Sequence, residues 1–223
     1  RYRLLDGEGR AVPTQGRYLL SPKDIAVLED IGALRDAGVN CFKIEGRMKS
    51  PEYVYQVTKI YASLLRDAGE GRPLKTQPED IEDLKKLFNR GFTKGHLLDE
   101  KGDALMSIRR PNHAGVPLGR VLSVDRFGIR VELTAPLKQG DGIKFEGSDD
   151  GFYCNRILKN GLLIGNAQPG DVVTLEGSAK TRAGDSVVKT SDAELIARLS
   201  DMPERKVPVS GRLQASAGQP LLL

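Results

Sequence analysis

Tryptophan is absent from the 223 residues, and only six phenylalanines, two cysteines and two histidines are present. Each shortage excludes a class of protein. Cys41 and Cys154 stand far apart in unlike surroundings, which argues against a disulfide framework and fits a reducing compartment, so a cytoplasmic location is expected. Together with His96 and His113 they lack the spacing of zinc ligands, and no metal site is expected in the chain. Neither a His-Glu-x-x-His stretch nor Ser-His-Asp logic is found, which leaves a protease reading without support inside the chain. No apolar run approaches the roughly twenty residues that a bilayer requires; the longest include 162–164 and 221–223. A membrane partner is not expected. The opening Arg1-Tyr2-Arg3-Leu4-Leu5-Asp6 carries no initiating Met, apolar signal core or cleavage site. Residues 221–223 read as the start of a strand that does not continue, so both ends look cut and the chain reads as an internal fragment of a larger enzyme.

Hydrophobic residues make up 39% and charged residues 29%, the balance of a soluble globular protein. The length suits two small domains. Basic residues number 34 against 30 acidic, and the resulting net charge of +4 permits a polyanionic partner without requiring one.

Tyr2 and Leu4 alternate with polar neighbours, the pattern breaks at Asp6-Gly7-Glu8-Gly9, and Tyr18-Leu19-Leu20 resumes it, which predicts strands around a turn. Ser21-Pro22-Lys23-Asp24 then supplies a cap hydroxyl, a proline at the first helical position and an early acid. Ile25, Leu28, Ile31 and Leu34 form the apolar face of the helix this predicts. Gly38 ends it, and 39–44 reads as a buried strand. Ser50-Pro51-Glu52 repeats the start signal for a second helix faced by Val54, Val57, Tyr61, Leu64 and Leu65. Helix, strand, helix is the grammar of a parallel α/β sheet or barrel. A lone parallel strand needs neighbours on both sides, so the rest of that barrel is expected upstream of Arg1.

After a linker at 69–77, Pro78 opens a third helix with Ile81, Leu84, Leu87 and Phe88 on one face, ended by Asn89-Arg90-Gly91. From about Gly115 the hydrophobic period becomes two, and short strands are predicted at 118–124, 128–133, 142–145, 162–164, 172–175 and 187–189. Three echoes stand out: Gln139-Gly140-Asp141-Gly142-Ile143, Pro169-Gly170-Asp171-Val172-Val173 and Ala183-Gly184-Asp185-Ser186-Val187. Each sets Gly-Asp before a strand, glycine giving φ freedom and aspartate accepting turn amides, as antiparallel barrels do when they reverse direction. A short helix over 192–199 precedes a strand at 207–212 that opens a further segment.

The densest chemistry lies in Lys43-Ile44-Glu45-Gly46-Arg47-Met48-Lys49-Ser50-Pro51. On a strand, Lys43, Glu45 and Arg47 share one face, so three charges would converge inside the barrel. Buried charges must pair with each other or with a ligand, which makes the trio either a site or a structural ladder of ion pairs. Glu45 would act as a base or orient Lys43, while Arg47 and Lys49 would hold a carboxylate or phosphate. Cys41 reads as a small buried hydrophobe rather than a nucleophile, and Cys154 as an incidental loop thiol. Arg109-Arg110-Pro111-Asn112-His113 forms a basic loop before the β-rich part, with Arg120, Arg126 and Arg130 following; it is either an RNA contact or a solvated basic surface. Phe127, Phe145, Phe152 and Tyr153 are either stacking groups or core.

The run Phe42-Lys43-Ile44-Glu45-Gly46-Arg47-Met48-Lys49-Ser50-Pro51-Glu52-Tyr53-Val54, preceded by Tyr18-Leu19-Leu20-Ser21-Pro22-Lys23-Asp24, resembles the collagenase-like peptidases, family thirty-two of the class of unknown mechanism. The similarity continues through Asn89-Arg90-Gly91-Phe92-Thr93-Lys94-Gly95 and Arg110-Pro111-Asn112-His113-Ala114-Gly115-Val116-Pro117-Leu118-Gly119-Arg120-Val121, and it looks like the longer branch with an inserted β-rich region. The resemblance implies that the first segment closes an eight-stranded α/β barrel. It also implies that cysteines upstream of Arg1 bind an iron–sulfur cluster in the full-length parent, with no cofactor in this fragment. Some members of the family are called collagenase-like proteases, whereas others, including the long branch, are linked to hydroxylation of bases in ribosomal or transfer RNA.

The expected architecture is α/β followed by all-β: the C-terminal remnant of a TIM-like barrel over 1–75, a helical connector over 76–104, a small antiparallel β-barrel module over 105–204, and the truncated start of a further β segment over 205–223. Lys43, Glu45 and Arg47 are the catalytic candidates. Lys49, Arg109, Arg110, Asn112, His113 and Arg120 are the substrate or RNA-binding candidates. The expected parent modifies structured RNA, with a protein or peptide substrate as the rival and a non-catalytic binding or assembly module as a third reading. The fragment is not expected to act alone, and an exposed barrel edge would allow a homodimer.

Overall fold

The structure, a computed structural model, describes residues 3–13, 16, 18–108, 110–146, 148, 150–201, 206–213 and 216–219. Asp6 builds the first turn as its position predicts: its carboxylate accepts the N–H groups of Glu8 and Arg10, each at 2.9 Å. Leu5 and Ala11 pair across that turn. Where the first helix is predicted, the chain instead forms a two-residue strand, β1 (Asp24–Ile25), a 3-10 turn (Leu28–Asp30) and only then α1 (Ile31–Asp36). Ser21-Pro22 therefore caps nothing. Pro22 bridges to Met106, and the Asp24 carboxylate is taken by Arg90, so tertiary pairing overrides the local cap signal.

The second start signal works as read. In α2 (Pro51–Gly69) the Ser50 hydroxyl accepts the N–H of Tyr53 at 3.3 Å and Pro51 occupies the first turn. Next come α3 (Pro78–Leu87) and β2 (Phe92–Thr93), which runs parallel to β1. Val27, Leu28, Ile31 and Leu34 bury against Val57, Ile60, Leu64, Ala68 and Leu84 in one helical core.

Residues 39–46, which include the strand expected at 39–44, are irregular chain in this structure. Lys43 and Glu45 do not face a barrel interior but stand in solvent, 86% and 72% exposed at their side chains and paired to each other at 2.9 Å. Arg47 is exposed as well. Among the described residues no strand lies beside 39–46, and a parallel strand without flanking partners leaves its backbone groups unpaired. Residues 206–213, which include the strand predicted at 207–212, likewise carry no strand, and the expected strand start at 221–223 lies outside the described residues.

The second half is antiparallel, and its predicted strands form. The elements are β3 (Val116–Asp125), β4 (Gly128–Leu133), β5 (Leu137–Lys138), β6 (Gly142–Phe145), β7 (Gly151–Tyr153), β8 (Ile157–Lys159), β9 (Leu162–Ile164), β10 (Asn166–Ala167), β11 (Val172–Leu175), β12 (Ser186–Ser191) and α4 (Ala193–Ser200). Eight strands make one sheet in the order β7-β6-β12-β3-β4-β11-β8-β9, which curls into a half-barrel. The short β5–β10 ladder ties the β9 side back toward β6. Alternating residues point inward: Leu118 and Val121 of β3, Ile129, Val131 and Leu133 of β4, Val173 and Leu175 of β11, joined by Phe145 and Cys154. Cys154, expected as a loop thiol, is core, and burial with the nearby Asp141 charge pushes its pKa up to about 12.

The three Gly-Asp echoes are one turn built three times. Asp141, Asp171 and Asp185 each donate the backbone N–H to the carbonyl three residues earlier (Lys138, Gln168, Arg182) and accept that residue's N–H on the carboxylate at 2.9 Å. The glycine before each holds φ at +90°, +89° and +94°, values that L side chains avoid. Each turn also docks on a core residue by the same two backbone bonds, Asp141 on Cys154, Asp171 on Leu133 and Asp185 on Val121. Asp141 differs in being 0% exposed: its carboxylate also binds Lys189 at 2.7 Å and the N–H of Ala193 at 2.9 Å.

Asp141→Ala should therefore cost about 3–5 kcal/mol in urea denaturation, the penalty for breaking a buried pair, whereas Asp171→Ala and Asp185→Ala should lose distinctly less. Asp141→Asn combined with Lys189→Met should recover part of the loss; a single Asp141→Ala within about 1 kcal/mol of wild type would refute the assignment. Thiol labelling near neutral pH should modify exposed Cys41 in the native protein and reach Cys154 only on unfolding.

Candidate functional site

The segments flagged by sequence converge around the ring of Phe88. Gly46, Arg47, Met48 and Lys49 form a tight turn in which the Lys49 N–H donates to the Gly46 carbonyl at 3.0 Å. Met48 takes φ +61° there, an uncommon value for a side-chain-bearing residue. The turn swings the Lys49 ammonium over the faces of Phe88 and Tyr53. On Phe88 the His113 ring also stacks, at 5.4 Å between centroids and 21° between planes.

Three further motif residues lock this arrangement. Arg90 binds Asp24 through two guanidinium nitrogens, at 2.7 and 3.2 Å, and its own N–H donates to the same carboxylate at 2.7 Å. Asn89 is buried and bonds in three directions: its amide donates to the carbonyls of Lys85 and Gly115 and accepts the N–H of Gly91. The His113 Nδ1 accepts the Asn89 N–H at 3.0 Å and the Gly115 N–H at 3.3 Å, which leaves Nε2–H to donate to the Lys86 carbonyl at 3.3 Å. Both ring nitrogens are thus engaged by backbone, and burial lowers the His113 pKa, with the Lys49 and Lys144 charges adding to it.

Lys49 is chemically the open member. Burial lowers its pKa, helped by Arg90 and opposed by Asp24. Yet among the described residues no carboxylate comes within ion-pair distance of it. Arg90, by contrast, is fully committed to Asp24. A half-buried ammonium on an aromatic face, without a carboxylate, can take an incoming anion.

The predicted site residues separate into groups. Lys49 and His113 meet at Phe88; Asn112 is exposed beside them in sequence, and the Arg110 carbonyl is held by the Ser107 hydroxyl at 2.7 Å. Lys43, Glu45 and Arg47 lie on the exposed approach to the turn. Arg120 sits on β3 and donates to the Gly184 carbonyl at 3.1 Å. Arg109 lies outside the described residues. Sequence reasoning passed over Asp24, Tyr53, Phe88 and Arg90 as site residues, although all but Phe88 fall in quoted motifs. The pairing of Asp24 with Arg90 over 66 residues of chain has no local signal.

Among the described residues no group of three or more His, Cys, Asp or Glu could hold a metal ion. An iron–sulfur cluster is held by four thiolates. The chain's two cysteines, one exposed at 41 and one in the β core, do not fit one. No helix among the described residues is long and apolar enough to cross a membrane.

The sequence model of peptidase family U32 matches residues 1–107. The 23S rRNA 5-hydroxycytidine C2501 synthase of Escherichia coli is 34% identical over 169 residues, 72% of this chain and 26% of that protein. A Porphyromonas gingivalis protein named collagenase is 37% identical over 202 residues, 83% of this chain and 54% of its own. The tRNA hydroxylation protein P1 of Bacillus subtilis is 39% identical over 146 residues, 63% of this chain and 34% of that protein. The chain thus spans about a quarter to about a half of the length of these relatives.

Because the folded His113 ring resists protonation, its stabilising contribution is complete above the unperturbed value of about 6.5 and is lost as pH falls toward the lowered folded value, where the unfolded chain binds the extra proton. Between about pH 7 and about pH 5, the urea midpoint of wild type should fall further than that of His113→Gln. Parallel falls would show that His113 protonates freely.

Proposed function

Residues 1–107 belong to peptidase family U32, and from that membership we propose that the chain is part of a protein that hydroxylates bases of structured RNA, ribosomal or transfer, with Lys49 and the β half docking the RNA. Relatives named for rRNA and tRNA hydroxylation support this substrate class. The observation that carries the reading is Lys49, a half-buried cation on an aromatic face with no carboxylate partner among the described residues. A phosphodiester supplies the missing charge, and the neighbouring basic loop with Arg110 extends the positive surface.

The hydroxylation step belongs to segments of the whole protein beyond this chain, together with the iron–sulfur cysteines that the family resemblance implies. In that whole protein, 39–46 takes the place of a strand in a TIM-like barrel once neighbours flank it, and Lys43, Glu45 and Arg47 then share a face toward the catalytic centre. The protein works in the cytoplasm.

Peptide hydrolysis is the rival, favoured by a similarity to the Porphyromonas gingivalis collagenase that runs over 202 residues. Against it, both nitrogens of His113 are engaged by backbone, and Cys154 is buried with its thiol protonated at neutral pH. Titrating a ribosomal RNA stem–loop with the 223-residue chain separates the two. Affinity should fall steeply with salt, and Lys49→Gln should reduce the log–log slope by about 1, with no cleavage of gelatin. Gelatin cleavage without RNA binding at about 50 mM salt would transfer the reading to a peptidase.

A further inference from the structure

The β3–β4 hairpin carries a feature that folding does not explain. Its two-residue tip is Arg126-Phe127, and Phe127 is 66% exposed, while the phenylalanine of the β core, Phe145, is 0% exposed. Two-residue hairpin tips favour Asn-Gly or Gly-rich pairs, and a large apolar ring there gains nothing from the core. The ring is nonetheless held in place. The Asp125 carboxylate accepts the Phe127 N–H at 2.8 Å, and the Arg126 guanidinium lies 4.7 Å from the ring centroid.

The arginines around the ring also lack carboxylate partners among the described residues. In the loops that lead into β8 and β12, Arg156 pairs with Glu176 at 2.9 Å and Arg182 with Asp185 at 3.6 Å. Arg126 and Arg130 have no carboxylate within ion-pair distance among the described residues. Arg130 lies opposite Ser123 of β3 and Thr174 of β11, small polar neighbours that leave its guanidinium exposed. The register shift between Val121 and Ser123 leaves Leu122 without a β4 partner, and it and Val124 are 40% and 46% exposed. An exposed aromatic ring, two guanidiniums without a carboxylate partner among the described residues and a short apolar strip therefore share one end of one hairpin.

We propose that the Arg126-Phe127 tip, with Arg130, is a stacking platform for an unpaired nucleotide of structured RNA. A base stacked on Phe127 would bring its flanking phosphates to Arg126 and Arg130. Every base has a π-face, so such a platform selects single-stranded character rather than sequence. A duplex, whose bases already stack on one another, offers phosphates to the arginines but no face to the ring. The two free cations favour a polyanion over an apolar protein partner. This inference rests on the RNA reading above and adds to it the structural class of nucleotide recognised.

The test uses the whole chain with two probes, an RNA stem–loop with an unpaired loop and the same stem closed as a continuous duplex. Phe127→Ala should weaken stem–loop binding about tenfold to a hundredfold and leave duplex binding unchanged. Arg126→Ala with Arg130→Ala should weaken both probes and lower the salt slope by about 2. The tip contributes no core contact, so all variants should keep the circular dichroism and urea midpoint of wild type. If Phe127→Ala binds the stem–loop as wild type does, while both bind it in a salt-dependent way, the platform is refuted and the RNA reading stands. If wild type binds neither probe at low salt, both fall.

Discussion

One buried carboxylate fixes the end of the β half that faces the helices. Asp141 has no exposed surface, and an ion without water needs every lone pair answered. Three donors answer it: the Lys138 N–H that closes its own turn, the Ala193 N–H at the start of α4, and the Lys189 ammonium on β12. One side chain thereby fixes a turn between β5 and β6, the strand beside them and the helix that leaves the sheet. The α4 N-terminus adds its dipole, and Asp192 caps the same helix by accepting the Leu195 N–H. Removing the carboxylate would leave Lys189 with only the longer 3.3 Å contact to Asp192.

From Lys189 the ion pairs continue into the helical half. Asp192 reaches Lys86 at 3.8 Å, Lys86 reaches Asp83 at 3.7 Å, and Asp83 holds Arg198 at 2.5 Å. Lys86 and Asp83 belong to α3, and the end of α3 builds the Phe88 cluster through the Lys85 and Lys86 carbonyls. A single helix of ten residues therefore serves as the anchor of the β half and the floor of the candidate site. Exposed links of such a chain are individually weak. The buried end at Asp141 gives it direction, because a sheet locked at that turn presents Asp192 to α3 in only one position.

How far the sequence could be read follows from which forces are local. Strands with clear alternation, such as Gly128–Leu133 and Val172–Leu175, appear where the period of two puts them. The Gly-Asp turns were legible because φ freedom and a carboxylate three residues from its donor are adjacent in the chain. The Ser50-Pro51 start worked for the same reason, whereas the equivalent Ser21-Pro22 failed because Asp24 has a stronger distant partner in Arg90. Residues 39–44 read as a buried strand, but composition does not supply the flanking strands that would bury it. Cys154 was misread because its loop neighbours are polar, while the turn of Asp141 docks on its backbone and draws it inward. Phe88 was legible only as part of an apolar helix face, because nothing in its own segment announces that Lys49 and His113 arrive from two other segments.

The contrast between Arg90 and Lys49 shows why total charge says little about partners. Both come from motif segments, and both lie against Phe88. Arg90 closes two guanidinium bonds on Asp24 Oδ1 and its N–H on Oδ2, so its field is cancelled within a few ångströms and its geometry serves the fold. Lys49 faces the same ring and feels Asp24 only at a distance, with burial lowering its pKa. An anion reaching this cluster meets one cation already neutralised and one that is not. The same logic separates Arg126 and Arg130 from Arg156 and Arg182 in the loops of the β half: a net charge of +4 is too small to steer a polyanion by itself. What marks these positions is that cations without a carboxylate partner among the described residues stand beside aromatic rings, Lys49 at Phe88 and Arg126 at Phe127.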